Sequence, residues 1–179
     1  MKLAKTVVLV GMMGSGKTAI GTALAKRLEV PFVDSDAEIE VAANSSIAEI
    51  FATYGEPFFR EKEEQVIGRL LQGPPAVLST GGGAFLSPRI RQMISDRGVS
   101  VFLQADLPLL WSRVRHKNTR PLLRTDDPRR TLGELFAKRA PIYALADLSV
   151  AADPAYSIAE MTDAVCDALR KAHLIQEIT

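Results

Sequence analysis

Val7-Val8-Leu9-Val10-Gly11-Met12-Met13-Gly14-Ser15-Gly16-Lys17-Thr18 decides the fold. Its first four residues are apolar throughout, as expected of a parallel strand buried on both faces, and Gly11 ends the run. Residues 11–18 then fit the pattern G-x-x-x-x-G-K-[ST], placed between that predicted strand and a predicted helix reaching Leu28. The physical content of the pattern is anion binding. Glycines let the backbone N–H groups of Gly14, Ser15 and Gly16 turn inward around phosphate oxygens, and the helix start adds its positive end. Lys17 is placed to reach the β- and γ-phosphates, and the Thr18 hydroxyl to ligate Mg²⁺. Nucleotide binding is the expectation.

Outward from this loop, short apolar runs recur at Val30 to Val33, Ala76 to Leu78, Val99 to Leu103 and Leu148 to Ala151, with Pro31 weakening the start of the first. Helical stretches lie between them. Ser46-Ile47-Ala48-Glu49, Thr131-Leu132-Gly133-Glu134 and Ser157-Ile158-Ala159-Glu160 each fit a capping box, and Ser87-Pro88 and Asp106 mark two further starts. Ile158, Met161, Val165 and Leu169 share one face of the last helix, which predicts that Cys166 beside them fills core. Alternating strands and helices predict an α/β fold with a parallel sheet covered on both faces and ligands at the carboxyl ends of its strands.

Composition narrows the class. The chain has 179 residues, 47% of them apolar, enough for one domain with a proper core. One cysteine excludes an internal disulfide, and with two histidines it is too few for the usual four-ligand Cys/His zinc site, so a metal would be held by oxygen. The formal charge of +1 argues against a coat for nucleic acid or an anionic membrane. It conceals a segregation: nine acids against two bases over residues 34–64, and nine bases against three acids over residues 113–139. Two solvated helix faces would explain this as well as two ligand-binding regions do. No run approaches the ~20 apolar residues of a membrane-spanning helix. Lys2 and Lys5 before an apolar stretch resemble the start of a signal peptide, but the glycine loop and Lys17 interrupt it, so a cytoplasmic location is expected.

The triphosphate-binding classes can be separated. The guanine-reading N-K-x-D is absent, and the only loose candidate for an acidic strand end, Val101 to Asp106, is better explained by Asp106 as a helix cap. Small-molecule kinases remain, and their acceptor site should follow the other strands. Asp34-Ser35-Asp36 follows the second strand; if extended geometry persists, both carboxylates point to one side, one toward Mg²⁺ and one toward a substrate hydroxyl, whereas a bland reading makes Asp36 a helix cap. Gly81-Gly82-Gly83 follows the third strand, offering open backbone N–H groups or merely a sharp turn. Arg60 and Arg139 sit in partly apolar settings suited to a carboxylate, though each alone reads as a surface ion pair. Lys117 to Arg130 is long and weakly periodic, as lids are.

Together the P-loop, Asp34-x-Asp36, Ile50-Phe51 with Gly55-Glu56, Phe59-Arg60-x-x-Glu63, Gly81-Gly82-Gly83-Ala84, Arg120-Pro121-Leu122-Leu123 and Lys138-Arg139-Ala140-Pro141-x-Tyr143 resemble the shikimate kinases over nearly the whole chain. The resemblance implies a three-layer P-loop kinase fold with a five-stranded parallel sheet in the order 2-3-1-4-5. It also implies a shikimate-binding region near residues 34–62 and a lid near residues 114–130. It implies ATP and shikimate as ligands, Mg²⁺ as the cofactor, and phosphorylation of the shikimate 3-hydroxyl, a step toward aromatic amino acids. Arg60, Arg139 and the backbone of Gly81, Gly82 and Gly83 would hold the acid, Asp36 would accept from its hydroxyls, and Asp34 would join Thr18 at Mg²⁺. Arg120 would reach the γ-phosphoryl group, and Arg113 and Pro154 would flank the adenine. Ala19 replaces a hydroxyl residue common among relatives but keeps its N–H. A monomer without nucleic-acid or membrane partners is expected. A gluconate kinase shares the loop but gives no reason for two arginines and three glycines around one acceptor, and an RNA-binding module would have only Trp111, Phe136 and Tyr143 for stacking near the basic stretch.

Overall fold

The structure, a computed structural model, describes residues 1–116 and 121–177. The sheet strands are β2 (Thr6–Val10), β3 (Phe32–Asp34), β4 (Val77–Ser79), β5 (Gly98–Gln104) and β6 (Leu148–Ala151), after a two-residue β1 (Lys2–Leu3). All five run parallel in the order β3-β4-β2-β5-β6, with Val7 opposite Val77 on one side and Val99 on the other. Counted along these five strands, this is the expected 2-3-1-4-5.

Period-two alternation divides the sheet's side chains between two cores. Val7 and Leu9 pack with Leu24 and Leu28 of α1 (Lys17–Leu28) and with Val165, Cys166 and Leu169 of α8 (Ile158–Lys171). Val8 and Val10 face the other layer, which includes Ile67 of α4 (Glu56–Leu71), Ile90 of α5 (Pro88–Arg97), Leu110 of α6 (Leu107–Val114) and Tyr143 of α7 (Pro128–Tyr143). A third, smaller cluster of Ile39, Ile50, Phe59 and Val66 joins α4 to α2 (Ser35–Ala43) and α3 (Ile47–Tyr54).

Cys166 is fully buried, as the helix pattern predicted, but Ile158 is 54% exposed because it opens α8 before that helix meets the core. Ser157 and Glu160 form the reciprocal capping box, and Ser87 and Asp106 cap α5 and α6. Ser46 caps α3, while the Glu49 carboxylate takes a hydrogen bond from Ser45 instead of reaching back to the cap. Thr131 does not start a helix: α7 begins three residues earlier, where Asp127 caps the N–H of Arg130 and Pro128 supplies a favourable first position. The sequence pattern also missed an antiparallel pair of β1 with β7 (Ile175–Gln176), whose two-residue strands are too short for a periodic signal.

Candidate active site

The phosphate loop leaves β2 at Gly11 and enters α1 through Gly14 and Gly16, at φ 81° and 94°. Those left-handed values cost a residue with a Cβ about 1–2 kcal/mol, which explains the glycines there. Gly16 caps α1 without a side-chain hydrogen bond, so no side chain competes for the N–H groups that start the helix. Ser15 Oγ is buried with no protein partner, and Thr18 and Ala19 lie exposed at the helix start. Lys17 Nζ donates to the carbonyls of Gly11 at 2.6 Å and Met12 at 3.1 Å, folding over the loop it is expected to serve. From α6, Arg113 Nη1 donates to the Gly14 carbonyl at 3.0 Å, which places this arginine against the loop. Pro154 sits in an exposed turn after β6.

The second half of the site follows β3 and β4. Extended geometry does not persist through Asp34-Ser35-Asp36: the strand ends at Asp34, which itself caps α2 by accepting from the N–H groups of Asp36 at 2.9 Å and Ala37 at 3.2 Å. The cap is therefore Asp34, not Asp36. A short acidic side chain at a strand end followed by a helix finds two backbone donors at once, and this outcompetes continued extension. Asp36 lies in the first turn of α2, and its Oδ1 is buried without a partner. Burial first, and then the Asp34 carboxylate, pushes Asp36 above the usual aspartate range, while Arg60 and Lys17 pull it back.

Gly81, Gly82 and Gly83 each face a different charged side chain. A Cβ on Gly81 would lie 2.8 Å from Asp36 Oδ1, one on Gly82 would lie 3.1 Å from Arg139 Nη1, and one on Gly83 would lie 2.5 Å from Arg60 Nη2. None of the three has a positive φ, so a sharp turn does not explain them. They are glycines because two guanidinium groups and a carboxylate, carried by α4, α7 and α2, converge on the backbone after β4. A carboxylate and a hydroxyl on one small ligand would match that set.

Two residues to which the sequence assigned no part in an acceptor site support these groups. Glu63, 1% exposed, accepts from Arg60 Nη1 at 2.9 Å, and its second oxygen is buried without a partner. Burial raises its pKa, and Arg60 opposes the shift. Tyr143 donates from its hydroxyl to the Gly82 carbonyl at 2.5 Å. The available signals were helical spacings, i to i+3 for Arg60 and Glu63 and i to i+4 for Arg139 and Tyr143. Arg120 lies outside the described residues.

A phosphate loop at the end of the central strand β2, with a carboxylate and two guanidinium groups gathered after β3 and β4 on one side of it, is the arrangement of a P-loop kinase acting on a small molecule. The family described as shikimate kinase matches residues 13–170. A shikimate kinase of Ruegeria pomeroyi is 62% identical over 99% of this chain and 91% of its own length, and one of Cereibacter sphaeroides is 67% identical over 83% and 75%. A shikimate kinase from Acinetobacter baumannii, solved in complex with shikimate, superposes with a TM-score of 0.87 at 32% identity over 96% of both chains. The chain belongs to the shikimate kinase family.

Proposed function

We propose that the protein transfers the γ-phosphoryl group of ATP to the 3-hydroxyl of shikimate, giving shikimate 3-phosphate and ADP. The observation that carries this reading is the convergence of Asp36, Arg139 and Arg60 on three successive glycines beside the phosphate loop. Arg60, Arg139 and the glycine backbone hold the carboxylate and ring, and Asp36 faces a ring hydroxyl. The hydroxyl oxygen forms the new P–O bond as the bond between the γ-phosphorus and the bridging oxygen breaks. Asp36 takes the hydroxyl proton, and ADP departs with the bond electrons. A carboxylate held above its ordinary range is a better proton acceptor than a solvated one, since its pKa lies closer to the working pH.

Phosphoryl transfer asks the protein mainly for position and charge neutralisation. Lys17 exchanges loop carbonyls for phosphate oxygens, and Arg120, assigned by its place in the family pattern, meets the γ-phosphoryl group. Arg113 and Pro154 flank the adenine. The segment near residues 114–130 acts as the lid that excludes water, and the region near residues 34–62 binds the acceptor. The Thr18 hydroxyl and the Asp34 carboxylate are hard oxygen donors that suit Mg²⁺, which needs few protein ligands when phosphates and water complete its shell. When bound, Mg²⁺ offsets charge on the transferring phosphates.

Coupled ADP release measured with shikimate, gluconate and nucleoside monophosphates tests the reading. Turnover should depend on shikimate alone, and Arg139→Ala should raise KM for shikimate far more than KM for ATP. Equal turnover with gluconate, or no response to shikimate, would overturn it.

A further inference from the structure

We infer that the Tyr143 hydroxyl is a positioning group for the acceptor, holding the Gly82–Gly83 peptide and the Arg139 guanidinium in the arrangement that receives a carboxylate. This rests on the acceptor reading above. Tyr143 is 1% exposed, with its ring 5.6 Å from that of Phe102, centroid to centroid. A phenylalanine would fill the same space, so packing accounts for the ring and leaves the hydroxyl to be explained. That hydroxyl points out of the core to the Gly82 carbonyl, 61 residues away in sequence and inside the candidate site.

The consequence follows from peptide geometry. No described peptide bond is cis, and a planar trans unit fixes its N–H opposite its carbonyl. Holding the Gly82 carbonyl therefore sets the direction of the Gly83 N–H, on the residue whose missing Cβ makes room for Arg60. Arg139, four residues earlier on the same face of α7, reaches the same glycine: a Cβ on Gly82 would lie 3.1 Å from Arg139 Nη1 and 3.6 Å from the Tyr143 hydroxyl. A phenol can donate one hydrogen bond and still accept another, so this group can tie the Gly82 peptide and also support the guanidinium that stands against the same glycine. Burial pushes the phenol above its ordinary range, so it keeps the proton it donates. Neither Asp36 nor the phosphate loop touches this hydroxyl among the contacts described. Its loss should therefore weaken capture of the acceptor without disturbing ATP.

Tyr143→Phe keeps the ring and deletes the hydroxyl. KM for shikimate should rise about tenfold, the size of one lost hydrogen bond, with kcat and KM for ATP changed less than about twofold. In an Arg139→Ala background the same change should raise KM by clearly less than in wild type, because part of its effect passes through Arg139. Three results would each overturn the inference: an unchanged KM for shikimate, effects that multiply independently, or a variant that fails to fold or loses affinity for both substrates alike. Wild-type turnover measured alongside separates the two readings. Shikimate-dependent wild-type activity with an indifferent Tyr143→Phe variant removes the positioning role alone, whereas absent wild-type activity removes the acceptor assignment.

Discussion

Gly14 and Gly16 of the phosphate loop occupy left-handed backbone, whereas Gly81, Gly82 and Gly83 have φ values open to any residue and are hemmed in by charged side-chain tips. The first pair is required by the path of the chain, and the second set by what the chain must admit. Neighbours differ accordingly. A Cβ on Gly14 would meet Val114 Cγ1 at 2.8 Å and come within 3.4 Å of the Leu110 carbonyl, atoms fixed in α6. Cβ atoms on Gly81 and Gly83 would meet the ends of Asp36 and Arg60, which can swing aside. Substitution in the first loop should thus damage fold and nucleotide binding together. In the second it should spare the fold and move a working group.

The largest effect should come from the carboxylate that Gly81 admits. Asp36→Asn is expected to lower kcat by roughly 10²- to 10⁴-fold, the usual loss for a positioned proton acceptor, while KM for ATP stays near wild type. Wild-type turnover would remove Asp36 from the mechanism. The same variant should melt higher than wild type at neutral pH. The folded pKa of Asp36 is raised, so the folded state binds more protons than the unfolded state between the two pKa values. The stability penalty is then full above the folded pKa and fades as pH falls through it, so the melting advantage of Asp36→Asn should shrink on acidification. In wild type, kcat/KM should fall on the acid side at a pH above the ordinary aspartate value of ~3.9.

Gly14→Ala should come next. It forces a Cβ into left-handed backbone at about 1–2 kcal/mol, before any contact with Val114, and at this chain length that lowers Tm by about 2–8 °C. KM for ATP should rise in parallel, and unchanged melting would break the contrast between the loops. Gly83→Ala should have the smallest effect on the fold, with Tm within about 2 °C of wild type, since only the tip of Arg60 must yield. It should still raise KM for shikimate about tenfold by displacing that guanidinium, with KM for ATP unchanged. A large loss of Tm here would mean that Gly83, like Gly14, answers to the backbone.

What the sequence disclosed follows the same division. The phosphate loop was legible because its chemistry lies in eight consecutive residues with a strand before and a helix after. Strand positions were legible to within a residue or two, since fully buried parallel strands read as apolar runs, and Asp106 and Ser87 were legible as caps. The local geometry of Asp34 and Asp36 was misread, because the capping bonds that bend the chain after β3 carry no periodic signal. Why three glycines stand after β4 was legible only through the family resemblance, and not from the residues themselves. The answer depends on α4 and α7 bringing Arg60 and Arg139 to that point from 21 and more residues away. Tyr143 stood in the family pattern, but the part its hydroxyl plays was not legible, because its spacing and burial are those of any core aromatic.

Helix α7 has 16 residues, a rod of about 24 Å, and it is pinned near one end where Tyr143 meets the glycine backbone. Rotation about that pivot by 10° would carry Pro128 some ~4 Å but Arg139, one turn from the pivot, only ~1 Å. Leu132, fully buried four residues from the start of the helix, opposes such a swing, so α7 is held at both ends and Arg139 keeps its place against the glycine backbone.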